Sequence, residues 1–225
     1  MEQYRDKILF EVTGHDHLAD LRTHLSNDSD EWYLNKVIFP GLSSSEDTNP
    51  GFGTFEYDSD TGVVNQLKWT YIDTEKTIGY PEDTPFDELP WFVVDFESKF
   101  ELMDLSGSSI ASMTERLSKD TDLAREYMFN RMGVNTDNPD QVRKGLKAYK
   151  DNWNLIDKKA TPENAFTRPQ DFTASACIMT QSLTKAELQK CVDSNHAQFK
   201  ISLEDWEKFL INWDLYWQNR CIKTI

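Results

Sequence analysis

The spacing of apolar residues in this chain changes from a period of two to a helical period near residues 75–90, and this change constrains its fold most strongly. Before it, apolar and polar residues alternate on both sides of a turn-forming run at 58–62. The alternating apolar residues are Phe55, Tyr57, Leu67, Trp69 and Tyr71. Because alternate side chains of a strand share one face, residues 52–72 predict a β-hairpin with Leu67, Trp69 and Tyr71 buried.

After a connector that contains three prolines, the apolar residues follow the spacing of amphipathic helices. The stretches with this spacing are residues 92–103, a segment from Ser108 or Ser109 to Gly133, residues 142–153, and two short segments that begin at Thr184 and Ser202. Further apolar runs at 7–12 and 33–39 predict strands. We therefore predict an α+β chain with a β portion over residues 1–80 and a helical portion over residues 81–225.

The overall charge and hydropathy of the chain exclude several classes of protein. Its 225 residues carry a net charge of −15, whereas nucleic-acid and anionic-membrane binders need a positive surface. No apolar run approaches the ~20 residues that span a bilayer, so we predict no transmembrane segment. The N-terminus is too charged, and too short before its first apolar run, to resemble an ordinary signal peptide.

The three cysteines leave the redox compartment open. In one interpretation Cys177, Cys191 and Cys221 are reduced, buried thiols of a cytosolic protein. In the other, Cys177 pairs with Cys191 and closes a loop of ~15 residues, which would stabilise the chain by roughly 3 kcal/mol. The sequon Asn27-Asp28-Ser29 marks Asn27 as a candidate glycosylation site and is compatible with secretion.

The clearest candidate for chemistry is Gly14-His15-Asp16-His17, which follows the apolar run at 8–12. Two histidines two positions apart place their imidazoles on the same side of extended backbone. Neutral imidazole binds zinc and other borderline metals well, and two such side chains can each reach a different ion. The alternative is a pair of exposed histidines on a polar loop.

A Gly-His-x-His sequence after a strand resembles the last metal-binding motif of the calcineurin-like metallophosphoesterases. Downstream, Asn49-Pro50-Gly51-Phe52 and the hairpin after it are similar in order and spacing to the acid-sphingomyelinase-like branch of that family. The resemblance also includes Trp91, the run Asp104-Leu105-Ser106, and the cysteine pair Cys177 and Cys191. It implies the C-terminal strands of a metallophosphoesterase β-sandwich followed by a helical C-terminal domain.

By this resemblance His15 would ligate one divalent cation and His17 a second, with zinc as the expected ion. The substrate would be a phosphodiester, which the two ions clamp while they activate a bound water. The turn at 49–52 would be structural, because Pro fixes φ and Gly permits an unusual backbone angle. The family's usual setting implies a secreted or lysosomal protein, whereas the lack of a signal peptide favours the cytoplasm.

The chain also departs from the family. The family's other ligand motifs, Asp-x-His, Gly-Asp-x-x-Asp and Gly-Asn-His, have no counterpart here, and His24 and His196 are expected on polar surface segments. Gly53 stands where the family usually has a long side chain, and the run at 41–45 replaces a Pro-Ser pattern. Two cations held close together need a bridging carboxylate against their repulsion. We therefore expect no hydrolysis by this chain alone.

Two functions follow from these observations. In the first, the chain is the C-terminal part of a sphingomyelinase-like phosphodiesterase, completed by another protein chain or by an N-terminal half that finishes the β-sandwich. In the second, it is a non-catalytic structural or interaction subunit that docks into a larger assembly, since an unpaired sheet edge must be covered. The acidic residues at 82–88 could bind a cation, but a solvated linker is the simpler interpretation.

Overall fold

The computed structural model describes Tyr4 and residues 7–14, 19–25, 32–43 and 48–145. Strands and helices both occur in these ranges, which confirms the α+β class. The strands are β1 (Glu11–Thr13), β2 (Asp20–Leu25), β3 (Trp32–Ile38), β4 (Gly51–Tyr57), β5 (Val64–Ile72) and β6 (Trp91–Asp95). The helices are α1 (Phe96–Phe100), α2 (Gly107–Lys119), α3 (Thr121–Arg131) and α4 (139–145), with a 3₁₀ helix at Phe86–Glu88. None of the helices in these ranges is long and apolar enough to cross a membrane.

The first sheet has the order β1-β3-β2, with β3 in the centre. β1 runs parallel to β3 and β2 runs antiparallel to it, so the chain that leaves β1 must cross the end of β3 before β2 begins. Leu21 and Val37 face each other in the register and are both fully buried. The strand expected at 33–39 is confirmed, with bounds Trp32–Ile38.

The second sheet is antiparallel, with the order β4-β5-β6, and it confirms the hairpin expected at residues 52–72. Leu67, Trp69 and Tyr71 are all buried, as their alternation predicts. The carboxylate of Asp58 holds the turn by accepting a hydrogen bond from the backbone N–H of Thr61 at 2.7 Å. That hydrogen bond contributes most among several that lower the pKa of the Asp58 carboxyl.

The helix expected over residues 92–103 is wrong at both ends, since only Phe96–Phe100 is helical. Residues 91–95 form β6, which pairs with β5 and extends the hairpin into a three-stranded sheet. Phe92 and Val94 alternate towards the core, and pairing with a neighbouring strand outweighs the helical spacing of the same apolar residues. Helix α1 begins only after Asp95, whose side chain caps its N-terminus.

The next expected helix is in fact two helices. Its expected start at Ser108 or Ser109 is wrong by two or three residues, because Ser106 is the N-cap of α2 and accepts a hydrogen bond from the Ser109 N–H. Asp120 ends α2 and begins α3, because its carboxylate accepts hydrogen bonds from the backbone N–H groups of Asp122 and Leu123. An Asp side chain competes with the helical backbone for hydrogen bonds, which explains the break within a continuous apolar stripe.

Aromatic side chains from the second sheet and the helices form the centre of the core. Trp69 packs edge-on against Phe96 of α1 with 4.4 Å between ring centroids, and Phe100 packs edge-on against Tyr127 of α3 at 5.5 Å. All four rings are fully buried. The helices therefore cover the inner face of the second sheet.

The two sheets meet through phenylalanine rings. Phe39, just beyond β3, stacks on Phe55 of β4 at 6.3 Å, and Phe10 meets the same ring edge-on at 5.2 Å. Phe39 also covers Gly53, where an added Cβ would lie 2.4 Å from the ring. The space beside Gly53, where the family resemblance implies a long side chain, is therefore occupied by Phe39.

We expect Gly51→Ala to lower the free energy of unfolding by about 1–3 kcal/mol. The added Cβ would lie 2.4 Å from the Tyr71 ring and 2.7 Å from the backbone oxygen of Thr70, and a carbonyl in the central strand cannot move aside. Gly14→Ala is the matched control, because no described residue lies within 4 Å of a Cβ there. It should change stability by less than about 0.5 kcal/mol. Equal urea midpoints for the two variants would contradict the close packing of Gly51.

Candidate functional site

His15 and His17 lie outside the described residues, but the chain on both sides of them is described. β1 ends at Thr13 and β2 begins at Asp20, and both of these residues pair with Ile38 at the end of β3. Both flanks of the segment that carries the histidines therefore lie at the carboxyl end of the parallel pair β1–β3. The carboxyl ends of parallel strands are the edge at which such sheets usually bind ligands.

Asp20 anchors the downstream end of that segment. Its carboxylate is 1% exposed and lies 2.9 Å from Nη2 of Arg131, at the C-terminal end of α3. Tyr127 donates its hydroxyl proton to the other carboxylate oxygen at 3.1 Å, and Leu21 N–H and Arg22 Nε also donate to Asp20. A buried carboxylate is tolerated only when it is paired and hydrogen-bonded, and Asp20 meets both conditions.

Helix α3 also holds this stretch of chain by hydrogen bonds to the backbone of Ala19 and Leu21. Arg131 Nε donates to the Ala19 carbonyl at 3.1 Å, and Ala19 N–H donates to the Arg131 carbonyl at 3.0 Å. Leu21 N–H donates to the Tyr127 hydroxyl at 3.2 Å. Because Tyr127 and Arg131 are four residues apart and share one helix face, that face of α3 fixes the start of β2.

Tyr127 is protonated in this network. Burial raises the pKa of its hydroxyl well above the ordinary value, the charge of Asp20 raises it further, and the charge of Arg131 lowers it in part. The hydroxyl therefore keeps the proton that it donates to Asp20. Burial also raises the pKa of Tyr71, whose hydroxyl has no hydrogen-bond partner among the described residues.

Asp20 is the described carboxylate closest in sequence to the two histidines, but it is not available to a metal ion. Four protein donors use its oxygens, and a carboxylate has about four lone-pair sites. No group of three or more His, Cys, Asp or Glu side chains that could share a metal ion occurs in the described part of the chain.

His24 was expected on a polar surface segment, and the structure places it in β2 with a buried side chain. The expectation of a surface position is therefore wrong. The pairing of β2 with β3 shifts in register between Arg22 and His24, which interrupts the simple alternation of inward and outward side chains. The sequence pattern alone consequently misassigns which side of the strand is buried.

The remaining predicted site residues lie outside the described ranges. They are Asn27, Cys177, Cys191, Cys221 and His196. The glycosylation site, the disulfide and the surface position of His196 therefore stay predictions.

The turn at 49–52 is a buried junction in the part of the chain that the structure describes. Asn49 Nδ2 donates to the Gly133 carbonyl at 2.7 Å and to Oε1 of Gln141 at 3.1 Å. Its Oδ1 accepts a hydrogen bond from Thr74 Oγ1 at 2.7 Å. The amide thus joins the hairpin to the loop before α4 and has no donor left for a ligand. These contacts support the structural role that the family resemblance implies for this turn.

Two weaker candidates carry no chemistry. A shallow recess lined by Asn49, Gln141 and Lys144 has room for about one water molecule. Gln141 Nε2 is buried without a partner among the described residues, and one ordered water would satisfy it. The acidic residues at 82–88 are all exposed, in agreement with a solvated loop.

A scan against protein-family models finds no match to the chain, and a search of curated proteins finds none either. The resemblance to the metallophosphoesterases therefore rests on the sequence motifs quoted above.

The network around Asp20 was missed in the sequence, although a signal for it exists. Asp20 interrupts the apolar stretch Leu18-Ala19-Asp20-Leu21, and a carboxylate inside such a stretch needs a buried cation. Tyr127 and Arg131 lie one turn apart on a predicted helix, which makes them a suitable pair of donors. The sequence does not show that these two segments meet, because they are more than 100 positions apart.

Replacing Arg131 by Met should lower the free energy of unfolding by about 3–5 kcal/mol, because Asp20 would stay buried without its cation. Arg143→Met is the control. Arg143 pairs with Asp140 and both side chains are exposed, so its loss should cost less than about 1 kcal/mol. Asp20→Asn combined with Arg131→Met should recover part of the loss. Equal costs for the two single Arg variants in urea unfolding would contradict the buried pair.

The raised pKa values of Tyr71 and Tyr127 predict a loss of stability in alkaline solution. The folded chain keeps protons that the unfolded chain releases above about pH 10, so stability is complete below pH 10 and falls as the pH rises beyond it. The slope should reach about 1.4 kcal/mol per pH unit for each Tyr. Tyr71→Phe and Tyr127→Phe should each remove one such contribution.

At pH 7 the same two variants should differ. Tyr71→Phe removes an unpartnered hydroxyl and should be neutral or stabilising, whereas Tyr127→Phe removes a donor from buried Asp20 and should cost about 1–3 kcal/mol. Guanidinium unfolding at pH 7 and pH 11 measures both effects. A wild-type stability that does not change between pH 9 and pH 11 would rule out this titration.

Proposed function

We propose that this chain is the C-terminal part of a calcineurin-like metallophosphoesterase of the acid-sphingomyelinase-like branch. His15 and His17 each bind one of two divalent cations, with zinc as the expected ion. The other ligands come from another chain or segment, and the substrate class is a phosphodiester. We expect no hydrolysis by the chain alone, because the family's Asp-x-His, Gly-Asp-x-x-Asp and Gly-Asn-His motifs have no counterpart in this sequence.

The observation that carries this proposal is the shared pairing of Thr13 and Asp20 with Ile38. It holds both ends of the histidine segment at the carboxyl end of a parallel strand pair. A further parallel strand beside β1 would end at the same edge, so its loop would lie next to the histidines. Ligands from two such loops can hold ions ~3.5–4 Å apart, which is the spacing of two-metal phosphoesterase sites.

The first sheet also supports a missing strand. β1 is an edge strand, because no strand among the described residues pairs with its other side. Parallel pairs are usually buried within larger sheets, and Val12 of β1 is 46% exposed. A strand from the remaining half of the enzyme would cover this edge. The two sheets that meet through Phe39 and Phe55 would then form one part of a β-sandwich.

A non-catalytic structural subunit is the second candidate, and the saturation of Asp20 favours it. If no carboxylate near the histidines can bridge two ions, two imidazoles bind one ion weakly at best. In that case the same β1 edge would dock into a larger assembly without a metal.

Metal binding separates the two candidates. We expect the purified chain to bind Zn²⁺ only weakly in an isothermal titration, because two imidazoles are fewer than the three or four protein ligands of zinc sites. His15→Ala and His17→Ala should each abolish measurable binding. His196→Ala is the matched control and should leave the affinity unchanged.

Activity is the second measurement. The chain alone should not hydrolyse bis(p-nitrophenyl) phosphate. Hydrolysis should appear when a chain or segment with the Asp-x-His and Gly-Asn-His motifs is added, and it should depend on His15. Zinc binding that persists in the His15→Ala/His17→Ala double variant would contradict the proposed site. Metal-free protein whose His15→Ala variant assembles normally would establish the structural alternative.

A further inference from the structure

The outer face of the second sheet is apolar at one end, although such a face is normally polar. In the register of β4, β5 and β6, Phe52, Thr70 and Val93 form one outward row, and Ile72 and Trp91 form the neighbouring row. The inward residues of the same strands fill the core. Antiparallel sheets usually alternate apolar residues inside with polar residues outside, so this end departs from the pattern.

Phe86 extends the apolar surface beyond the sheet. Its ring centroid lies 4.5 Å from that of Trp91. The ring centroid of Phe52, in β4, lies 5.8 Å from that of Trp91. Trp91 Nε1 donates to the Phe86 carbonyl at 2.7 Å, which fixes the 3₁₀ helix against the sheet. We call Phe52, Ile72, Phe86, Trp91 and Val93 the Phe86 patch. Phe86 is 64% exposed and Val93 is 50% exposed.

The fold itself does not require an apolar surface here. The next row of the same face consists of Thr54, Lys68 and Asp95, and Lys68 pairs with Asp95 at 3.5 Å. That row shows that polar residues are compatible with the outward positions of this sheet. A contiguous apolar patch beside a polar row is typical of an interaction surface.

The rim of the patch is negatively charged. From residue 77 to residue 95 the chain has no Lys, Arg or His. Glu82 and Asp83 lie in the turn before the 3₁₀ helix, Asp87 and Glu88 lie within it beside Phe86, and all four are exposed. An approaching partner therefore meets an apolar centre with carboxylates on one side.

This charge selects the class of partner. Nucleic acids and anionic membranes would be repelled by the carboxylates, and so would a second copy of a chain with net charge −15. A sugar would need a free aromatic face, whereas the Trp91 ring is flanked by Phe86 and Phe52 and its N–H is already bonded. A basic protein surface has the complementary charge.

We propose that the Phe86 patch docks a protein partner whose contacting segment has Lys or Arg residues around one or two apolar side chains. The apolar residues would cover Phe86 and Val93, and the basic residues would pair with Asp87 and Glu88. This surface belongs to the second sheet, so the proposal does not depend on metal binding by His15 and His17.

The test uses the full chain and three synthetic peptides of equal length. One alternates Lys and Leu, one alternates Lys and Ser, and one alternates Glu and Leu. We expect the Lys/Leu peptide to bind at least about 10-fold more tightly than either of the others, since only it supplies both charge and apolar contact. Fluorescence anisotropy at two salt concentrations measures the affinities.

Variants locate the binding on the chain. Phe86→Ser should weaken Lys/Leu peptide binding about 10-fold or more, as loss of a central aromatic contact does. Asp87→Asn/Glu88→Gln should weaken it and reduce its salt dependence. The matched control is Ile78→Ser, because Ile78 is an apolar residue that is 83% exposed and lies outside the patch. It should bind like wild type.

Several outcomes would overturn the proposal. Equal binding of the Lys/Leu and Lys/Ser peptides, unchanged in Phe86→Ser, would show an acidic loop that attracts any cation. A Val93→Cys variant whose new thiol reacts with iodoacetamide as slowly as that of a Leu67→Cys variant would show that the chain itself covers the patch, because Leu67 is buried. Phe86-dependent binding to vesicles of phosphatidylcholine with phosphatidylserine, or Phe86-dependent dimerisation in sedimentation, would assign the patch to a membrane or to a second copy.

Discussion

The buried contact between Asp20 and Arg131 is the interaction on which the rest of this structure depends. It joins the strand that begins after the two histidines to the end of a helix more than 100 positions away. Tyr127 adds a second point of attachment on the same helix face. Taking two charges out of water is costly, so the pair is stable only while both partners and their hydrogen bonds are present. The placement of the histidine segment is therefore coupled to the packing of the helical part.

The sequence predicts those parts of the fold in which local spacing and local pairing agree. The hairpin of β4 and β5 is such a part, because its two strands and the Asp58 turn are contiguous in the chain. The segment at 91–95 is not, since its apolar spacing fits both a strand and a helix. Pairing with β5 selects the strand. That pairing is a tertiary contact, and the spacing of apolar residues in the sequence does not predict it.

The candidate site divides in the same way. Two histidines beyond an apolar strand are visible in the sequence, and so is the turn at 49–52. Their support is not visible, because it comes from residues such as Arg131 that are close only after folding. The packing of Phe39 on Gly53 is of the same kind. A sequence motif therefore locates the candidate metal ligands. It does not show which neighbouring carboxylates already accept hydrogen bonds from other groups of the protein.

The two proposed contact surfaces differ in their physical chemistry, and this difference makes them separable. A strand added at β1 would gain backbone hydrogen bonds, whose strength depends little on ionic strength. A partner at the Phe86 patch would be attracted by the carboxylates at 82–88, and attraction between exposed charges is largely screened beyond a Debye length of about 8 Å at physiological salt. Raising the salt concentration should therefore weaken binding at the Phe86 patch more than the pairing of a strand with the first sheet. The response of a complex to salt thus identifies the sheet that holds its partner.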